Sequence, residues 1–446
     1  MQRDAHPRDT MRTFDLIAIL IVLAALFSYI NLKVLKLPTG IGLMALTLLF
    51  SVAVFAAGHF LPAVGARVDG LLGQFDLDEA LLHGMLGFLL FAGALHVDLG
   101  DLARHRWPIV TLATLGVSLS TVVIGVLMWG VLALTGLPLR FLDCLLFGAL
   151  ISPTDPIAVL GLLKRVGVPK ALEVQIAGES LFNDGVGIVV FTGLLGVASG
   201  LHGPDVGHVA LLFVRETVGG VLFGLVAGLL VFLMLRSVDE YKVEILLSLA
   251  LVAGGYALAD AWHLSGPIAM VVAGLMIGNQ GRSFAMSAAT NERLDQFWEL
   301  IDETLNAVLF VLIGLEVLAL TFTARTLLAG LLVIPIVLAA RLFSVSLPIR
   351  ILRRWVRFEP STVRILTWGG LRGGISVALA LSVPGKPSGV AVPGRDVILV
   401  ITYVVVVFSI VVQGLTIGPL ARWWLSETGS PSRDPNHGSS STVPHS

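Results

Sequence analysis

Long apolar runs alternate with short polar segments along nearly the whole chain. A helix of about 20 apolar residues is long enough to cross the hydrocarbon core of a bilayer. With a hydropathy window of about 19 residues, the sequence predicts thirteen such spans, and hence an all-α polytopic membrane protein. The predicted spans are residues 14–32, 39–57, 80–96, 107–135, 143–163, 172–199, 207–235, 243–260, 265–280, 299–320, 327–349, 362–384 and 396–421.

The composition strengthens this interpretation. Of 446 residues, 56% are hydrophobic and 13% are charged, and the mean hydropathy is +0.92. Soluble domains carry about 25% charged residues, so a soluble globular protein is excluded. The single cysteine, Cys144, excludes an internal disulfide framework and a cysteine-based zinc site. Lys plus Arg (29) and Asp plus Glu (30) nearly balance, so the chain has no strongly basic surface for nucleic acid.

The polar ends and the basic residues give the domain boundaries and the orientation. The sequence predicts a polar N-terminal segment (1–13), a transmembrane domain (14–425) and a cytoplasmic tail (426–446) that lacks the apolar content to fold. With the C-terminus inside, the cytoplasmic segments hold 18 Lys and Arg residues and the outer segments hold 8. This excess favours a cytoplasmic C-terminus, although three arginines before the first span argue weakly for the opposite orientation.

The fifth span is interrupted by the segment Ser152-Pro153-Thr154-Asp155-Pro156. Two prolines remove two backbone donors and clash with the preceding turn, so the helix should break here. We expect Asp155 to cap the second half and Pro156 to occupy its first helical position. Unwound backbone at membrane depth is tolerated only inside protein or beside a water-filled cavity. A kink alone requires no carboxylate, so we interpret Asp155 as functional; the alternative is a structural kink.

The sixth span carries two acidic residues, Glu179 and Asp184. Charged side chains at membrane depth cost about 2.5 to 3.5 kcal/mol on insertion scales and are functional candidates by default. Glu179 and Asn183 share one helical face, whereas Asp184 lies about one turn above Ser180. We therefore expect two roles: Asp184 binds a small cation directly, and Glu179 needs a cationic partner to stay ionised.

Arg372 in the twelfth span is the expected partner. It lies in Gly369-Gly370-Leu371-Arg372-Gly373-Gly374, and each glycine weakens a helix by about 1 kcal/mol relative to alanine. The sequence therefore predicts a second broken helix, with Arg372 paired to Glu179. The alternative is that Arg372 extends to the membrane interface.

Spans five and twelve are seven apart, so they cross the membrane in opposite directions. Paired broken helices in inverted repeats mark the ion site of secondary transporters, and spans four to six and eleven to thirteen form the matching units. An enzyme is disfavoured because the sequence lacks the H-E-x-x-H, G-x-S-x-G and dinucleotide motifs. A cation channel, which has no need for paired broken helices, is the less favoured alternative.

These motifs resemble the monovalent cation:proton antiporter-1 family of NhaP-like bacterial sodium/proton exchangers. The stretch Gly178-Glu-Ser-Leu-Phe-Asn-Asp-Gly resembles that family's sixth-helix signature, Thr154-Asp155-Pro156 its unwound fifth helix, and Gly370-Leu-Arg-Gly-Gly its twelfth. The resemblance covers residues 14–425. It implies a six-helix core against a dimerisation domain, a homodimer, and a place in the bacterial inner membrane.

The resemblance also implies the roles of the site residues. Asp184 would exchange Na+ and H+, and Asp155, Thr154 and Ser180 would assist coordination. Glu179 and Arg372 would hold the core helices together, and Asn183 is similar to the residue of electroneutral exchangers. The third span departs from the family pattern, because His96 lies near the point where other members carry an acid.

The predicted function is exchange of Na+ for H+ by alternating access, with one ion moved in each direction. Burial disfavours the charged carboxylate and a bound cation favours it, so Na+ and H+ should compete for Asp184. Oxygen ligands suit a hard cation. Li+ and K+ are alternative substrates, and a K+/H+ antiporter of the same fold is the alternative function. The transported ions are the only small molecules expected, and no cofactor is implied.

Overall fold

The structure, a computed structural model, describes residues 13–60, 84–200, 206–282, 286–385 and 392–427. Within these ranges the chain is helical or in connecting segments, apart from one isolated antiparallel bridge. The polar N-terminal segment and the cytoplasmic tail of the sequence analysis lie almost entirely outside the described residues.

Helical segments coincide with all the predicted spans. In the described part of the chain, eight helices are long and apolar enough to cross a membrane, and two further apolar helices are shorter. The prediction of a multi-pass helical membrane protein is confirmed, whereas the count of thirteen spans stays a prediction. The helices are α1 (Thr13–Ile30), α2 (Thr39–Phe60), α3 (Leu86–Leu95), α4 (Leu99–Arg104), α5 (Arg106–Leu134), α6 (Phe141–Ile151), α7 (Ile157–Val166), α8 (Lys170–Ala198), α9 (Val206–Arg236), α10 (Tyr241–Ala261), α11 (Gly266–Met276), α12 (Ala288–Glu316), α13 (Ala324–Leu352), α14 (Thr362–Trp368), α15 (Gly374–Leu381) and α16 (Arg395–Glu427).

Both predicted breaks are present. The fifth span consists of α6 and α7, and the twelfth consists of α14 and α15. The connecting segments meet in an antiparallel bridge, in which the Asp155 amide donates to the Leu371 carbonyl at 2.8 Å. The two broken spans therefore cross in opposite directions, as inverted repeats require.

The expected cap of α7 is wrong by one residue. Helix α7 begins at Ile157, and Pro156 rather than Asp155 occupies the N-cap position. The reason is that the Asp155 backbone pairs with Leu371 of the crossing segment, so that Asp155 lies two residues before the first residue of the helix.

Two three-part units form the centre of the molecule. Helix α5 packs against α6 and α13, α8 packs against α6, and α16 packs against α13 and α15. Each unit consists of a long helix, a broken span and another long helix: α5, α6–α7 and α8 in the first, α13, α14–α15 and α16 in the second. Outside them, α12 packs against α1, α2, α3 and α10, and α11 packs against α3, α9 and α10.

Helix α8 lies deep within this arrangement. Its segment Gly178–Gly187 is largely buried, including Glu179, Asn183 and Asp184. A side chain at Gly187 would overlap the ring of Pro153, so the glycine lets α8 approach the break of the fifth span. This close approach brings the polar residues of α8 to the crossing point.

Candidate functional site

A cavity of about 170 Å³ lies where α8 meets the crossing segments. It brings together three of the residues predicted to bind a cation: Asp184 from α8, and Thr154 and Asp155 from the break of the fifth span. Its other polar side chains are Asp302, Asn306 and Ser376.

Asp184 is the most deeply buried acid of the cavity, with 6% of its surface exposed. Its Oδ1 atom has no hydrogen-bond partner among the residues that the structure describes. A buried carboxylate oxygen without a donor is costly. A bound proton or cation would satisfy this oxygen, which is what an exchange site requires.

The break of the fifth span is held against α8 by a polar network. Asn183 accepts from the Thr154 amide through Oδ1 at 3.3 Å and donates through Nδ2 to Thr154 Oγ1 at 2.8 Å. Ser180 Oγ lies 3.1 Å from Thr154 Oγ1. Thr154 lines the cavity, whereas Ser180 and Asn183 lie behind it. Direct coordination by Ser180 therefore stays a prediction, and Asn183 positions the backbone of the break.

Gly373 of the twelfth span lies against the side chain of Asp155. An added Cβ at Gly373 would overlap the Asp155 carboxylate, and Gly373 also lines the cavity. Its backbone is extended (φ −122°, ψ −154°), so an alanine is compatible with the backbone but not with the position of the carboxylate. The glycine is therefore required by the close approach of Asp155.

We expect Gly373→Ala to lower the rate of cation exchange by about tenfold or more while the protein still folds. The reason is that a displacement of about 1 Å in a site of fixed geometry can cost about a hundredfold in rate. Gly130→Ala on α5 is the matched control, since a Cβ there meets no atom within 4 Å. Equal exchange rates for both variants in proteoliposomes would show that the contact has no functional role.

Arg372 does not form the predicted ion pair with Glu179. Its Nη1 atom donates to the carbonyls of Ser152 (2.5 Å) and Pro153 (2.9 Å), at the C-terminal end of α6. These carbonyls lack intrahelical partners and carry the negative end of the helix dipole. The buried guanidinium, 2% exposed, thus binds backbone oxygens, and it joins the twelfth span to the break of the fifth.

Glu179 pairs instead with Arg341 on α13. Arg341 Nη1 donates to Glu179 Oε1 at 2.5 Å, and the two side chains are 7% and 1% exposed. Arg341 Nε also donates to the Leu366 carbonyl in α14, at 3.3 Å. Each broken span therefore has an arginine beside the carbonyls of its first half, Arg372 for the fifth and Arg341 for the twelfth.

Asp302, which was not predicted from the sequence, lies on α12 and lines the cavity with Asp155 and Asp184. The signal was an acid inside the predicted tenth span, four residues before Asn306 and hence on the same helical face. Ser376 was also missed; its buried Oγ has no partner among the described residues. His96 does not line the cavity: its Nδ1 lies 2.9 Å from the Ala92 carbonyl oxygen.

Comparisons with known proteins agree with this geometry. A family model described as "Sodium/hydrogen exchanger, transmembrane" matches residues 21–423. The Na(+)/H(+) antiporter NhaP of Pseudomonas aeruginosa is 51% identical over 413 residues, which cover 92% of this chain and 96% of that protein. The Na(+)/H(+) antiporter NhaH of Halobacillus dabanensis is 34% identical over 423 residues, covering 91% and 97%.

Solved structures resemble the fold. The sodium proton antiporter MjNhaP1 from Methanocaldococcus jannaschii, solved at pH 8, has a TM-score of 0.68 at 20% identity. The match covers 92% of this chain and 97% of that one. At this identity the likeness concerns the fold alone.

Proposed function

The chain belongs to the transmembrane sodium/hydrogen exchanger family and is a Na+/H+ antiporter, a transporter rather than an enzyme; from this premise we propose that Asp184 is the group for which the two ions compete. The observation that carries the proposal is that Asp184 lines the cavity while its buried Oδ1 atom has no hydrogen-bond partner within the described ranges. One acid that accepts either ion, but not both together, couples their movements.

The other oxygen atoms of the cavity suit a small hard cation. Asp155 and Thr154 line the same cavity as Asp184, and carboxylate and hydroxyl oxygens are the ligands that alkali cations prefer. A charge-free loaded site costs less to move through the membrane than a bare carboxylate. We infer that only the protonated or cation-bound forms reorient, which makes the exchange obligatory.

We further propose a stoichiometry of one Na+ for one H+. Asn183 occupies the position beside Asp184 and does not titrate. Its side-chain amide accepts a hydrogen bond from the Thr154 amide and donates one to the Thr154 hydroxyl. Asp184 is then the one group whose charge changes in each half of the cycle, so a complete cycle moves no net charge.

A reversal-potential experiment tests the stoichiometry. In proteoliposomes with a pH dye, we expect no net flux when the Na+ and H+ concentration ratios across the membrane are equal. An imposed K+/valinomycin potential should not change this balance point, because an electroneutral exchanger does not sense the potential. A balance point that moves with the potential would contradict the one-to-one exchange. Currents far above carrier rates would indicate a channel instead.

The cation preference and the assembly are part of the same proposal. We propose Na+ as the principal substrate, with Li+ and K+ as the alternatives that the flux assay compares. We also propose a homodimer in the bacterial inner membrane, as the family resemblance implies, with a cytoplasmic C-terminus. The distribution of Lys and Arg along the sequence supports this orientation. Cross-linking in native membranes and sided labelling of the chain ends test these two features.

A further inference from the structure

Two cavities meet at Asp302 and Asn306. The smaller one contains Asp184 and Asp155. A second cavity, of about 950 Å³, lies between α1, α7 and α12 and includes Lys36 from the α1–α2 connection. Asp302 and Asn306 line both cavities, whereas Asp184 and Asp155 line only the smaller one. Asp302 is therefore the acid that separates the wide cavity from the exchange site.

The carboxylate of Asp302 is held in this position by its neighbour one turn away. Asn306 Nδ2 donates to Asp302 Oδ1 at 3.1 Å and to the Asp302 carbonyl at 2.8 Å. Asn306 is 6% exposed, so its amide is fixed by packing. The side chain of Asp302 is only partly buried, which leaves it accessible from the wide cavity.

The part of the smaller cavity lined by α3 and the residues after it carries no charge. Its lining residues there are Leu86, Leu89, Leu90 and Gly93 from α3, and Val97, which follows the helix. Between the wide cavity and the two carboxylates of the exchange site, the polar side chains that line both cavities are Asp302 and Asn306. A negative group at the entrance of a low-dielectric cavity raises the local concentration of cations.

We propose that Asp302 is a relay residue that binds the incoming cation transiently before it reaches Asp184. The inference rests on the proposed exchange at Asp184 and adds the path by which the cation arrives. Helix α12 packs outside the two three-part units, chiefly on α1, α2, α3 and α10. Asp302 also lines the wide cavity, so it would serve the side of the membrane onto which that cavity opens. We call this side the face of Lys36 and Arg165, after two basic residues that line the wide cavity.

The test is a measurement of the Na+ KM from each side of the membrane for Asp302→Asn in oriented proteoliposomes. We expect KM to rise about tenfold from the face of Lys36 and Arg165, with kcat and the KM from the other face changed less than about twofold. Asp302→Glu should restore most of the affinity. The KM difference should shrink as choline chloride is added, because salt screens the attraction.

Glu303→Gln is the matched control. It removes the same charge from the neighbouring position, but Glu303 lines only the wide cavity. We expect its KM to change less than about twofold. If Asp302→Asn does not fold, Asn306→Leu replaces it: loss of the amide that holds Oδ1 should raise KM from the same face.

Three results would overturn the proposal: an unchanged KM from both faces, an equal change from both faces, or a fall in kcat at constant KM. The last result would indicate a structural role for Asp302. Failure of the exchange proposal itself is distinguishable in the same preparation, because Asp184→Asn would then retain exchange while the wild-type KM is measured normally.

Discussion

Asp184→Asn is expected to reduce Na+-driven proton movement to the level of protein-free liposomes. Asparagine keeps the shape of the side chain but accepts no proton and offers no negative charge to a cation. Asp184 lines the cavity, and its buried Oδ1 has no partner in the described structure, so the substitution would remove the group for which we propose that the ions compete. Cation-induced dequenching of a pH dye with Na+, Li+ and K+ measures the effect.

Asp396→Asn is the control for this experiment. The substitution is chemically identical, but the Asp396 side chain is 86% exposed and pairs loosely with Arg395 at 3.9 Å. It should leave exchange unchanged. Both variants should elute as folded protein on size exclusion. Exchange by Asp184→Asn at the wild-type rate would remove the basis of the proposed function.

Glu179→Gln is expected to cause the largest loss of stability. Breaking a buried ion pair by removing one partner costs about 3 to 5 kcal/mol, since the remaining charge is left in a dry environment. The Arg341 side chain, which is only 7% exposed, would lose its carboxylate partner. Thermal unfolding in detergent and the yield of folded protein measure the loss, and Arg341→Gln should have a comparable effect.

A double-mutant cycle identifies the partner. Combining Glu179→Gln with Arg341→Gln should recover part of the loss, because the uncompensated charge is gone. Combining it with Arg372→Gln should instead add a second loss, since Arg372 binds the Ser152 and Pro153 carbonyls. Recovery of stability with Arg372→Gln, and not with Arg341→Gln, would instead support the Glu179–Arg372 pair that was predicted from the sequence.

The exposed pair Arg364–Glu427 provides the control for this cycle. Its atoms lie 3.0 Å apart, but the side chains are 56% and 43% exposed. Exposed pairs contribute about 0 to 1 kcal/mol, so Glu427→Gln should hardly change the melting temperature. The contrast separates the effect of burial from that of an ion pair as such.

The breaks in the fifth and twelfth spans were predictable because proline and glycine act locally. Two prolines around Thr154-Asp155 and four glycines around Arg372 alter the backbone wherever the fold places them. A cavity beside the unwound backbone was expected on the same grounds, whereas the meeting of Asp155 and Asp184 at one cation site was implied by the family resemblance. The breaks and the cavity depended on chemistry that each segment carries by itself.

The partners of the arginines were not predictable from the same information. The sequence has two arginines in predicted spans near the site, and both can neutralise a glutamate. Which arginine pairs with Glu179 depends on which helix faces it. Arg341 on α13 does so, whereas Arg372 binds the C-terminal end of α6. Asp302 escaped notice for a related reason: it adjoins Glu303 near the polar end of its span, where charges ordinarily contact the interface.

The bridge between Asp155 and Leu371 joins main-chain atoms. Alanine scanning leaves every peptide group intact. Substitutions of the Asp155 side chain would therefore report only on the carboxylate and not on the main-chain hydrogen bond to Leu371. Only proline or an amide-to-ester replacement at residue 155 deletes the donor. The two halves of the repeat are thus tied together by a contact that most substitutions conserve automatically, and chemical synthesis rather than ordinary mutagenesis is the way to measure its strength.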